Sequence, residues 1–218
     1  MQSQSMSFQE VSNLILKEIN NNNFLKALKI ANSIKSSESS VAAHLHHLKS
    51  IAYQKKKDYK QCLAEIEKGI KLKPEHLHLN INKAKLYNLI GESDKAIKQY
   101  LTVLSIYNNE VEALYNVSVL YFKNKEFNKS KEYIDKAFNI SPKSSVIFSA
   151  KIKTYLKLEN YTEVTTLADG YISHFGAEPS ILNSKGLALK ALCRWDEAIT
   201  TFKQSLKLSP NLLEAKKI

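Results

Sequence analysis

Glycine and proline are scarce in this chain, five and four in 218 residues, which suits long helices with short connections rather than many tight turns. Nowhere do 18 apolar residues run uninterrupted, so no segment is expected to span a membrane. The opening Met-Gln-Ser-Gln-Ser-Met-Ser lacks a basic start and an apolar core, and no signal peptide is read from it. A cytoplasmic location follows by default. Arginine is almost missing: Arg194 stands alone beside 31 lysines. The net charge of +11 would suit nucleic acid or an acidic partner. Yet arginine is the side chain fitted to bidentate phosphate and guanine recognition, and lysine acts as a hydrated point charge. A solvated lysine surface is the preferred reading, with anion or RNA binding through the lysines kept as a third function to test by salt dependence.

Signatures of catalysis are missing too. There is no Gly-x-x-x-x-Gly-Lys loop, no Gly-x-Gly-x-x-Gly, no His-Glu-x-x-His and no Gly-x-Ser-x-Gly. The acidic residues are scattered, and Glu65, Glu67, Glu92, Asp94 and Glu197 are expected on solvent faces. No enzyme, catalytic residue or cofactor is predicted.

What is present is a period. Pro74, Pro142 and Pro210 lie 68 residues apart and close similar phrases, Ile-Lys-Leu-Lys-Pro, Phe-Asn-Ile-Ser-Pro and Leu-Lys-Leu-Ser-Pro. Half of that spacing, 34 residues, runs through the chain, and such a repeat means stacked helix pairs that bury apolar faces against neighbours. With proline at position 32, units begin without insertion at Ala43, Leu77, Val111, Ser145 and Pro179. Position 8 is then Ser50, Ala84, Ser118, Ile152 and Gly186, and position 20 is Cys62, Ala96, Ser130, Val164 and Ala198. Position 11 is Tyr53, Tyr87, Tyr121, Tyr155 and Leu189; position 17 is Tyr59, Ser93, Phe127, Tyr161 and Trp195. Small residues allow close helix contact, and the aromatic ones fill the space around them.

This pattern resembles the tetratricopeptide repeat, which also expects glycine near position 15. The resemblance covers about residues 8–212. Its units are 8–42 (atypical, capping), 43–76, 77–110, 111–144, 145–178 (divergent) and 179–212. Residues 1–7 are expected to form a disordered tail, and 213–218 the start of a further or capping helix. The resemblance implies an all-α, right-handed α-solenoid superhelix of antiparallel helix pairs. It further implies a non-catalytic scaffold that binds a protein or extended peptide in a concave groove. The alternative is an N-terminal recruiting region of a larger enzyme of glycosyltransferase, sulfotransferase or hydroxylase type. The fifth unit departs from the pattern: Ala168 and Tyr171 invert the expected large-then-small order, conserving volume, and Phe175-Gly176-Ala177-Glu178-Pro179 replaces the usual ending.

Family members usually meet ligands at first-helix positions 2, 5, 6, 9, 12 and 13. Here these include His78, Ile81, Asn82, Lys85 and Asn88 in the third unit. The fourth unit supplies Tyr115, Asn116, Val119, Phe122 and Lys123, and the last two supply Ser149, Lys153, Leu156, Lys157, Asn183 and Lys190. Amides there can hold a peptide backbone and lysines can attract carboxylates, so a partner of some acidic character is expected. Tyr115, Phe122 and Leu156 are expected to be exposed, an unusual surface without a ligand. The two-carboxylate clamp of chaperone-binding relatives is absent, because positions 5 and 9 lack its lysine and asparagine.

His44, His47 and His78 are candidates for a metal site, two sharing a helix face and the third one repeat further on. No carboxylate stands behind them to orient the rings, and an exposed polar face is the preferred reading. Cys62 and Cys193, about four units apart, are expected to be free thiols.

Overall fold

The structure, a computed structural model, describes residues 7–210. The expected helix start at 213–218 and the expected tail, apart from Ser7, lie outside the described residues. Among those residues every regular element is a helix. They are α1 (Phe8–Asn20), α2 (Phe24–Ser33), α3 (Ser39–Lys55), α4 (Tyr59–Leu72), α5 (Leu77–Leu89) and α6 (Ser93–Ile106). Then follow α7 (Val111–Lys123), α8 (Phe127–Ile140), α9 (Ser145–Lys157), α10 (Tyr161–Phe175), α11 (Pro179–Ala191) and α12 (Trp195–Leu208).

Local chemistry sets the helix ends. Ser7 opens α1 with a capping box: its Oγ accepts from the Glu10 N–H at 3.3 Å while its own N–H donates to the Glu10 carboxylate at 2.7 Å. Each first helix then stops at a residue with positive φ: Asn22, Lys57, Gly91, Lys125, Glu159 and Cys193. The residue after each turn donates back to a carbonyl five positions earlier, as in Asp58 to Tyr53 (2.9 Å), Glu92 to Tyr87 (2.8 Å) and Glu126 to Tyr121 (2.9 Å). This is the Schellman closure of a helix end, which reverses the chain in two or three residues. Second helices end on a residue that has left helical geometry before proline, Lys73 before Pro74 and Ser141 before Pro142. The fifth unit ends instead on Gly176 at φ 87°, and Pro179 occupies the first turn of α11.

Contacts divide the chain into two units, 1–108 and 109–218. In the first, α3 packs on α4 and α5 on α6, while α1, α3 and α5 also meet in succession. Its core joins Ile15, Ile19, Leu28, Leu45 and Leu48 to a second cluster around Cys62, Ile66, Leu79 and Leu86. In the second, α7 packs on α8 and α11 on α12, with α9 touching α7, α8, α10 and α11. Phe148, Ile152, Tyr155, Val164, Ala168 and Tyr171 fill its centre, and Leu189, Ala198 and Phe202 its end. The small positions do what the spacing predicts. Ser50, Cys62, Ala84, Ala96, Ser118, Ser130 and Ala198 are all buried, and a Cβ at Gly186 would meet the Phe202 ring at 2.6 Å. The inverted pair is also buried, with the Tyr171 hydroxyl donating to Glu178 at 2.5 Å.

One expected solvent residue is not in solvent. Glu65 is buried on α4, where its carboxylate meets His46 Nδ1 and Lys68 Nζ, each at 2.7 Å. Burial alone would raise this carboxyl, but the His46 and Lys68 hydrogen bonds outweigh it and hold it at about 2.

Candidate functional site

In the second unit α7 and α9 lie side by side, and residues from both line an open groove of about 450 Å³. From α7 come Tyr115, Val119 and Phe122, spaced four and three residues apart and so on one face. From α9 come Val146, Ser149 and Lys153, in the same relation. Five of the residues expected to bind a ligand, Tyr115, Val119, Phe122, Ser149 and Lys153, therefore converge on one surface. Tyr115, Phe122 and Leu156 are half-buried rather than exposed. Phe122 stands edge-on to Phe127, ring centres 5.3 Å apart, and burial raises the Tyr115 hydroxyl pKa. Leu156 does not line the groove and packs instead against the Phe148 cluster.

The remaining candidates are distributed differently. Asn116 sits on α7 and donates to the Glu112 carbonyl of its own helix at 2.7 Å. Lys123, Lys157 and Lys190 are exposed, whereas Asn183 is buried in α11 and offers no surface. In the first unit, His78 is exposed and Asn82, Lys85 and Asn88 are half-buried along α5. Ile81 is buried: the family ligand position that placed it in a groove falls here on the face of α5 turned to the core.

Residues that sequence reasoning did not assign complete the groove. Ser118, Ser130 and Thr154 line it, with the Ser130 and Thr154 hydroxyls 3.2 Å apart, and Tyr171 and Glu178 close one end. Ser118 and Ser130 occupy the small positions and read as packing sites; only the neighbouring helices show that the same positions face the opening. Tyr171 carried a signal, since a large residue stood where a small one belonged. Burial, then the bond to Glu178, pushes its hydroxyl up to about 12. Behind the groove wall Asp135 gathers Lys151 (2.9 Å), Lys131 (3.0 Å) and the Tyr155 hydroxyl (2.9 Å). Burial would raise the Asp135 carboxyl, and these three donors lower it instead.

Charge on the helices is largely local. Lys26, Lys68, Lys83, Lys95, Lys129, Lys136 and Lys185 each lie within 4 Å of a carboxylate, so these lysines do not add up to a single unbalanced patch.

The histidines cluster more tightly than the sequence indicated. His44 and His47 on α3 meet His76, the N-cap of α5, and His78 just inside that helix. Ring centres lie 5.5 Å apart for His47–His78, 5.7 Å for His44–His47 and 5.8 Å for His47–His76. Burial first, then the neighbouring imidazoles and Lys85, lowers His47 to about 3. His44 and His76 move in the same direction for the same leading reason.

Against known proteins, the tetratricopeptide-repeat family model matches residues 43–76, 77–110 and 111–144, the three repeats at the boundaries given by the proline period. A TPR repeat-containing protein of Methanocaldococcus jannaschii is 24% identical over 249 aligned positions, covering 94% of this chain. The chain spans 43% of that relative's length. Among solved structures, Pseudomonas aeruginosa PilF superposes with a TM-score of 0.77 at 17% identity, covering 96% of this chain and 95% of its own. YrrB, described as a TPR protein with an unusual peptide-binding site, gives 0.74 at 11% identity over 89% of this chain and 98% of its own. PilW, a type IV pilus biogenesis factor, gives 0.72 at 15% identity over 97% and 98%. At these identities the likeness is one of fold. Among the described residues no helix is long and apolar enough to cross a membrane.

Proposed function

Starting from three consecutive repeats that match the tetratricopeptide-repeat family model, we propose that this chain is a non-catalytic scaffold that holds an extended peptide segment of a partner protein. The observation that supports this most is the α7–α9 groove, where five independently expected contact residues line one opening. Tyr115, Val119, Phe122 and Val146 offer apolar surface for anchoring side chains, and the Ser149 hydroxyl offers a polar contact. Lys153 at the rim favours an acidic residue in the ligand, and a rim charge of this kind acts mainly on the association rate. The peptide-binding description of YrrB, a protein of the same fold, is in keeping with this reading. The free thiols suit the reducing interior of a cell, and we place the protein in the cytoplasm on that basis.

Selecting an extended-peptide library against the purified chain, and titrating an enriched peptide by fluorescence anisotropy, tests the groove. Phe122→Ala and Tyr115→Ala should each weaken binding by more than about fivefold, the effect of losing roughly 1 kcal/mol of an anchor. Lys153→Ala should act chiefly at low salt. Undiminished binding by a folded Tyr115→Ala, Phe122→Ala variant would put the peptide on another face.

A second reading draws on the greater length of the Methanocaldococcus relative: the repeats recruit a partner to a further, enzymatic region of a longer protein. The same groove serves both, and turnover of the bound partner by the full-length protein separates them.

A further inference from the structure

Four of the six histidines of this chain gather where α3 meets the start of α5, and the function proposed for the other unit makes no use of them. Five of the six ring pairs among His44, His47, His76 and His78 have centres between 5.5 and 6.4 Å apart. Four imidazoles around one tetrahedral ion, with metal–nitrogen bonds of about 2.1 Å and ring centres roughly 1.2 Å further out, lie about 5.4 Å apart. The ring centres of those five pairs are within roughly 1 Å of that spacing before any ion is present. A second observation points the same way. His47 Nδ1 is buried and has no hydrogen-bond partner, an acceptor or donor left unused at the centre of the group. His76 Nδ1 accepts from the Leu79 N–H at 3.3 Å, so binding an ion through Nε2 moves the ring proton to Nδ1 and gives up this cap. His46, beside them in sequence, is engaged by Glu65 and stands apart.

We propose that His44, His47, His76 and His78 bind one divalent transition-metal ion of the kind that prefers imidazole, such as Zn2+. Among the described residues no three His, Cys, Asp or Glu side chains stand where they could hold an ion, so the site requires the rings to turn about their side-chain bonds and bring nitrogens inward. Exposed His78 has the room to do so, and His44 and His47 share one face of α3. Lys85 faces His47, and the N-terminus of α5 also disfavours positive charge. Affinity therefore comes from direct nitrogen–metal bonds rather than from charge attraction. That excludes Ca2+ and Mg2+, which need oxygen ligands, and selects the later transition metals.

Tag-free chain titrated with Zn2+ against a chromogenic chelator tests the site. We expect one ion per chain with a dissociation constant below about 10 µM. Proton NMR should show the ring resonances of these four histidines moving together. His44→Ala combined with His78→Ala, changes at a half-buried and an exposed position, should weaken binding at least tenfold, and His174→Ala on α10 should leave it unchanged. A dissociation constant above about 10 µM overturns the site. So does a loss of less than tenfold in the folded double variant, which would mean adventitious zinc only.

Discussion

His47 is a base that the fold keeps from its proton. Its ordinary value is 6.5, and burial with three neighbouring imidazoles brings it to about 3. The unfolded chain therefore takes up a proton below about pH 6.5 that the folded chain refuses, and stability rises with pH wherever the unfolded state binds more protons. The contribution is complete above about 6.5 and is lost progressively as the pH falls toward 3. His44 and His76, also lowered, add to it in the same sense. Glu65 and Asp135 are depressed carboxyls, whose stabilisation is present above their ordinary values and fades only at lower pH. Between pH 6.5 and 5, in metal-free buffer, the unfolding free energy from urea titration should fall by up to about 1.4 kcal/mol per pH unit through His47. His47→Gln should flatten that slope. An unchanged slope in the variant would assign the pH response to other groups.

At the scale of the helix, the recurrent feature is the positive-φ residue between the two helices of each repeat. A side chain there costs roughly 1 kcal/mol that glycine does not pay. Only Gly91 meets this requirement with glycine; Lys57, Lys125, Glu159 and Cys193 adopt the same conformation with a Cβ. Space is not the issue, because a Cβ at Gly91 would touch nothing within 4 Å. Gly91→Ala should therefore lower stability by about 1 kcal/mol, and Lys125→Gly should raise it by about 0.5–1 kcal/mol, both read from urea midpoints. These turns also show what the sequence made legible. The proline period and the small residues at positions 8 and 20 placed the helices and their contacts, because both follow from backbone rules that act locally. Glu65 was read as a solvent residue and is buried, since the partner that makes this tolerable, His46, lies on another helix. Ile81 was expected in a groove for a related reason: a family position names a place on a helix, but not how far the neighbours wrap around it. The groove wall was legible at Tyr115 and Phe122; the hydroxyls of Ser118, Ser130 and Thr154 were not, because residues chosen for small size announce packing rather than an opening.

Among the described residues helices pack mainly on those next to them in sequence, so native contacts are short-range and no long loop there has to close before structure forms. Such arrays open locally, unit by unit, rather than only as a whole. The two thiols sit on opposite sides of this behaviour. Cys193 is exposed at the turn between α11 and α12, whereas Cys62 is buried in the core of the first unit, where burial and then Asp58 push its thiol up to about 12. A thiolate-seeking reagent at neutral pH should therefore modify one cysteine at once and the other only when α3, α4 and α5 separate. The chain thus carries its own clock: the slow phase of labelling, followed by mass spectrometry, times the opening of the first unit while the fast phase marks a fixed attachment point on the second. Equal labelling rates at Cys62 and Cys193 in the native state would mean that this core is already open.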